Sequence, residues 1–384
     1  MEKVKLHELI EKPLSGVWGD EDIDGNGIPV LRTTNFTNNG SLSYSDVVTR
    51  KIVSNNLKDK YLRVGDILIE KSGGSDKQPV GRVVYFEGEE NKYLFNNFTS
   101  ILRVKNLETC FPKYLFYGLF SNYQQGGTRP YENKTTGLHN LKLEQYINSF
   151  EIPLPSLEEQ KAIAGKLDKV SGLIEKRKTQ LEKLDLLIKS RFIEMFGDGH
   201  DGKAPTKMLG SICKFQQGTQ IPVEEQFEEQ ISGYKRFLRI IDYTQAPQPP
   251  RYVNANGKEV DEKSVVIVRY GATAGFVGRG YQGILANNLF EIMPDETILS
   301  KEFLFLALKY GTFEKEVHDK AFGAAMPALS FSMMNDIPVV VPMAEQQSQF
   351  VSFVEQTDKS KFEIQKSLEK LEILKKSLMQ QYFG

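Results

Sequence analysis

The chain has 384 residues, 40% of them apolar and 26% charged, with a net charge of −1. That length supports two or three domains with separate cores, and the balance excludes a disordered or low-complexity chain. No run approaches the roughly eighteen apolar residues of a membrane span, and the opening "MEKVKLHELIEK" is too charged for a signal peptide, so a cytoplasmic protein with no membrane partner is expected.

Residues 1–154 are rich in short β signals. "IPVLRTTNF", "YLRVGDILIEKSGG", "VGRVVYFEG" and "YLFNNFTSILRV" are runs of β-branched and aromatic residues split by Gly, Asn and Asp. A short amphipathic helix ("PKYLFYGLFS"), a polar Gly/Thr loop and a strand ending in proline close this unit. After Pro155 the period becomes helical. Leu157–Phe196 is about 40 residues without internal proline, roughly 60 Å of helix at about 1.5 Å per residue. Ser156 ahead of Glu158-Glu159 marks its start and Gly197 its stop. Leu167, Val170, Ile174, Leu181, Leu184 and Ile188 fall on a and d heptad positions.

Residues 198–341 repeat the β-rich order. "LRIIDY" answers "LRTTNF", "SVVIVRYGA" answers "DILIEKSGG", Gly278-Arg279 answers Gly81-Arg82, and "NNL" answers "NNF". Residues 342–384 repeat the helix as Ala344–Phe383, with Val354, Ile364, Leu368, Leu371 and Leu378 on the heptad seam and Lys361 and Lys375 as breaks.

The second helix is a copy of the first. "LEKLDLLIKS" from Leu181 and "LEKLEILKKS" from Leu368 agree at seven of ten positions. The same displacement lays Pro155 on Pro342, "PSLEEQ" on "PMAEQQ", and Phe196-Gly197 on Phe383-Gly384 without a gap. So long a period is a duplicated half, not a solenoid. One such stripe alone reads as a core-facing helix. Two, each behind a similar β-rich unit, read as helices that pair with each other. An approximate two-fold axis makes that contact isologous and the helices antiparallel. The expected fold is α+β: two β-rich domains, 1–154 and 198–341, separated by a coiled coil of two long antiparallel helices, 155–197 and 342–384, as a pseudo-two-fold internal duplication.

No catalytic constellation stands out. His7, His139, His200 and His318 are scattered, Cys110 and Cys213 lack CxxC spacing, and neither a GxSxG elbow nor a P-loop occurs, so no metal and no cofactor are expected in this chain. "RYGATAGFVGRG" lacks GxGxxG spacing and reads as a hairpin loop; Glu70-Lys71 lacks the intervening residue of a nuclease ExK. What remains is binding. After its strongest strand each β-rich unit places small residues and cations: Lys71, Ser72, Gly73, Gly74, Ser75, Lys77 and Arg82 in the first, Arg269, Tyr270, Thr273 and Arg279 in the second. Arg32 and Arg239 stand at the same place of the matching "LRTTNF" and "LRIIDY" runs, and later loops add Arg129, Lys134, Thr135 and Thr136, then Lys320, Gly323 and Ala324. Small residues let backbone approach phosphate closely, and Arg, Lys, Gln and Asn reach base edges in the major groove. Singly, each loop reads equally well as a solvated turn. Their recurrence at matching places is the signal for binding, and the chemistry suits the phosphates and major groove of double-stranded DNA.

"IPLPSLEEQKAIAGKLD", the helix "LEKLDLLIKSRFIEMFG", their degenerate second copy and the β-rich units before each resemble the specificity subunits of type I restriction–modification systems over essentially the whole chain. The resemblance implies that the β-rich units are target recognition domains and the helices conserved spacers. It implies a non-catalytic subunit in complex with two modification (methyltransferase) subunits, joined by restriction subunits. S-adenosylmethionine, ATP and magnesium would belong to those partners. The second junction departs from the pattern, having lost the Leu-Pro pair. Two other readings stand beside this one: a scaffolding coiled coil that binds only protein, and the specificity subunit of a methylation-only or phage-defence system without nuclease.

Overall fold

The computed structural model describes residues 3–53, 57–135, 138–197, 203–245, 247–321 and 328–384, and its fold is the expected α+β duplication. The chain forms two compact units, residues 1–177 with 367–384, and residues 178–366.

Each unit is built on the same frame. In the first, strand Ile67–Glu70 lies between Thr99–Leu102 and Val83–Tyr85, with Leu14–Ser15 at the edge. In the second, Val265–Val268 lies between Leu289–Pro294 and Val277–Gly278, with Cys213–Gln217 at the edge. All four residues of both central strands are buried, which explains their unbroken apolar run. A second sheet pairs Ile28–Leu31 in parallel with Leu94–Phe95, and its counterpart pairs Lys235–Leu238 in parallel with Gly283–Leu285. The sequence following each "LR" leaves the strand. Thr33–Asn35 is a 3-10 turn and Ile240–Thr244 a short helix, because Asn35 Oδ1 accepts from the Arg32 N–H (2.8 Å) and Asp242 Oδ2 from the Arg239 N–H (2.8 Å).

Backbone hydrogen bonds correct two of the matches drawn from sequence. Asn96 N–H donates to Leu31 O where Ala286 N–H donates to Leu238 O, and Thr99 to Asn96 O where Leu289 donates to Ala286 O. The two Asn-Asn pairs are therefore out of register by one residue. A one-residue slip would turn every side chain to the other face, so burial of Thr99 and Leu289 decides the pairing over identity of the asparagines. Likewise Glu70 N–H donates to Arg82 O where Val268 N–H donates to Phe276 O. Arg82 matches Phe276, and Gly81 matches Gly275. Both glycines hold positive φ (105° and 90°), a conformation an L side chain strains to adopt. Arg279 takes the place of Tyr85: Tyr85 packs on Phe116, and the Arg279 guanidinium lies 4.2 Å from the Phe305 ring centroid.

We label four helices: α1 (Pro112–Gln124), α2 (Leu157–Phe196), α3 (Lys301–Tyr310) and α4 (Ala344–Phe383). The long helices α2 and α4 have the bounds expected from sequence and pack together. In the first unit the start of α2 (Ile163, Ala164, Leu167) shares a core with the end of α4 (Leu378, Met379, Tyr382, Phe383). In the second, the end of α2 (Ile188, Phe192, Phe196) shares one with the start of α4 (Phe350, Val354). Of the seam positions, Leu167, Val170, Ile174, Ile188, Val354 and Leu368 are buried, while Leu181, Leu184, Ile364, Leu371 and Leu378 are half-buried. The lysine breaks are accommodated. Lys361 Nζ donates to Asp185 Oδ1 (2.6 Å), and Lys375 lies 5.4 Å from the Phe120 ring centroid. Phe192, Phe196 and Phe350 form an edge-to-face aromatic cluster that the heptad count missed. No helix among the described residues is long and apolar enough to cross a membrane.

Candidate nucleic-acid interface

The frame builds the same cleft in each unit, between the loop after the buried central strand and the C-terminal end of the following helix. In the first unit the cleft, about 630 Å³, lies between the Lys77–Arg82 loop and the end of α1, and Asn38 and Arg129 complete it. In the second it is about 540 Å³ and lies between the Ala272–Val277 loop and the end of α3.

Their linings differ. Lys77, Gln78, Gln124, Gln125 and Arg129 make the first cleft cationic and amide-rich. Lys77 and Arg129 are exposed, and their side chains have no hydrogen-bond or ion-pair partner among the described residues. Thr273, Phe276, Phe313 and Val317 make the second largely apolar, with Lys309 and Glu314 at hand. Burial holds the Lys309 ammonium below its usual range, with Lys361 acting in the same direction.

Three of the sequence candidates, Lys77, Arg82 and Arg129, thus come together at one cleft, and Thr273 sits in its counterpart. Arg82 is held from within: Nη2 and Nε donate to Glu70 Oε1 (2.8 Å) and Oε2 (3.0 Å), and Nη2 also to Thr33 O (3.1 Å). It therefore fixes the turn after Leu31 against the loop. Lys71 is half-buried, donates to Ser15 Oγ (2.8 Å), and has its ammonium held below the usual range by burial and by Lys60. Ser72 and Gly73 belong to strand Ser72–Gly74, and Ser75 Oγ accepts from Gln78 N–H to close the loop. Arg32 pairs with Asp46 (2.9 Å), and Arg239 grips Asp242 through Nε (3.0 Å). The Arg269 guanidinium lies 4.5 Å from the Tyr270 ring centroid and 5.2 Å from that of Phe290, so Tyr270 is a stacking partner. Arg279 packs on Phe305 of α3 and does not line the second cleft. Lys134 and Thr135 stand in strand Glu132–Thr135, but their side chains lie outside the described residues, as do Thr136, His200, Gly323 and Ala324. Lys320 is exposed on helix Phe313–Ala321.

The first cleft is also lined by amides outside the candidate set, Gln78, Gln124, Gln125 and Asn38. The signal was available, since Asn and Gln read adenine edges bidentately. No group of three or more His, Cys, Asp or Glu side chains among the described residues could hold a metal ion.

Comparison with known proteins agrees with this architecture. Residues 1–184 and 203–375 match the family described as "Type I restriction modification DNA specificity domain". The chain is 23% identical to a putative type I restriction enzyme specificity subunit, MjaX, of Methanocaldococcus jannaschii, over 98% of this chain and 91% of that one. In fold it is similar to a crystal structure of a type I restriction–modification S subunit from M. genitalium, with a TM-score of 0.62 at 17% identity, over 100% of this chain and 96% of that one. A second solved chain, from work titled as the structural basis of complex assembly and conformational transition of the type I system, gives a TM-score of 0.58 at 16% identity, over 100% and 97%.

Proposed function

Because this chain belongs to the type I restriction–modification DNA specificity family, we propose that it is the sequence-reading subunit of such a complex and recognises a bipartite, asymmetric DNA target. The observation that carries this reading is the recurrence of one cleft at one place of a duplicated frame, with two different linings. Duplication supplies two reading heads, and divergence of the linings supplies two different half-sites. Each head would read a few base pairs in the major groove, and the paired helices would set the unread spacer. Half-sites on one face of a duplex are about one turn, roughly 34 Å, apart, within the reach of helices of this length.

In the first cleft, Lys77 and Arg129 would hold phosphate while Gln78, Gln124, Gln125 and Asn38 meet base edges. In the second, Thr273 and the apolar lining would meet the half-site, beside the Arg269–Tyr270 stack. The subunit would catalyse nothing. Acting in the cytoplasm, it would position two modification subunits, and restriction subunits where the system cleaves. S-adenosylmethionine, ATP and magnesium would be theirs.

DNA protection measured with the modification subunit present tests this reading. Duplexes in which one half-site is scrambled should lose protection whichever half is scrambled. A protein that served only as a scaffold would give protection indifferent to sequence.

A further inference from the structure

Gln160 and Gln347 occupy the same place in the two copies of the helix junction, and both are buried in the first turn of a long helix (0% and 4% exposed). Gln160 Nε2 donates to Thr109 O (2.9 Å) and to Pro155 O (2.9 Å), and its Oε1 accepts from Phe111 N–H (2.8 Å). Gln347 Nε2 donates to Ile298 O (2.9 Å) and Pro342 O (2.9 Å), and its Oε1 accepts from Ser300 N–H (3.1 Å). Each amide therefore joins two stretches of chain: the one entering α2 or α4, through Pro155 or Pro342, and the one entering α1 or α3, through Thr109 and Phe111 or Ile298 and Ser300.

The pattern is kept where its surroundings are not. Ser156 and Glu159 form a capping box at the start of α2: Ser156 N–H donates to Glu159 Oε2 (3.0 Å) and Glu159 N–H to Ser156 Oγ (3.4 Å). The second copy has Met343 and Gln346, and only the Met343 N–H bond to Gln346 Oε1 (3.3 Å) remains. Capping alone needs neither glutamine. A buried amide that satisfies both loop carbonyls and a helix N–H can be replaced only at the cost of unpaired polar groups. It also bears on direction, because two of its three bonds hold the first turn of the long helix against the segment that enters α1 or α3.

We propose that Gln160 and Gln347 are positioning residues for target recognition: each locks the direction in which a long helix leaves its recognition domain, and so the spacing between half-sites. This rests on the bipartite reading above. The test uses the complete methyltransferase with Gln160→Met and, separately, Gln347→Met, on a duplex library carrying both half-sites with every spacer length. The wild type should methylate one spacing. Each variant should methylate spacings one base pair shorter and longer at about tenfold above the wild-type level, a change of about 1.4 kcal/mol in discrimination, with both half-site sequences unchanged. The inference is overturned if a folded variant keeps the wild-type spacing, changes a half-site sequence, or methylates nothing. It is also overturned if neither variant folds, since the amides are then folding determinants. A wild type without a fixed two-part target would instead overturn the bipartite reading, and the role of the lock with it.

Discussion

At the scale of single residues, the duplication acts as an internal experiment. The buried Glu70 and the half-buried Arg82 form an ion pair whose place in the second unit is taken by Val268 and Phe276. Losing one partner of such a pair strands the other charge, whereas an apolar pair of similar volume is often neutral or better. Arg82→Phe alone should therefore lower stability by about 3 kcal/mol, because Glu70 is 1% exposed, and Glu70→Val should restore most of the loss. Denaturant melts of both single variants and the double variant measure the cycle. This also shows why the candidate site was only partly legible. Spacing places arginines near a loop, but whether one reads DNA or braces the loop depends on a carboxylate brought close by folding. Lys77 and Arg129 are left free, whereas Arg82, Arg32 and Arg239 are braced. Arg129→Ala should weaken binding about equally on all sequences and make its salt dependence shallower by about one unit of slope, as for a phosphate contact. The cysteines give an independent check. Burial pushes the Cys110 and Cys213 thiols up to about 12, so at pH 8 both stay protonated. A thiol reagent should label neither in the native protein and both after denaturation.

At the scale of elements, the helices were readable and the strand registers were not. Helix bounds, seam and pairing follow from a heptad period repeated twice in gapless register, and a signal spread over 40 residues survives local exceptions such as Lys361. A strand of four residues carries too little pattern to resist a coincidence such as the two Asn-Asn pairs, and burial on both faces removes the alternation that would have corrected it. The "EEQ" and "EQQ" triplets were visible as a junction motif, yet their role needed the loops that meet Gln160 and Gln347. If the helices act as a ruler, inserting four residues (about one turn) near Gln180 should lengthen the unread spacer and leave both half-sites unchanged. Sequencing the methylated motifs of cells carrying that insertion checks it, and altered half-site sequences would reject the ruler.

At the scale of the whole molecule, a net charge of −1 leaves this chain little surplus positive charge beyond its local cations. Phosphate neutralisation supplies most non-specific affinity, so the isolated chain should bind DNA weakly and gain affinity in the complex. Docking of the modification subunits is expected on the long helices, where Leu173 and Leu187 are 45% and 48% exposed outside the seam. Replacing both with serine should cost co-purification of the modification subunit before it lowers the melting temperature. The central claim is that two unlike reading heads read one split target. It is tested most directly by mapping every methylated site in cells that express this chain with its modification partner. The account predicts one motif of two different half-sites separated by an unread spacer of fixed length. A single contiguous motif, or two identical half-sites, would contradict it.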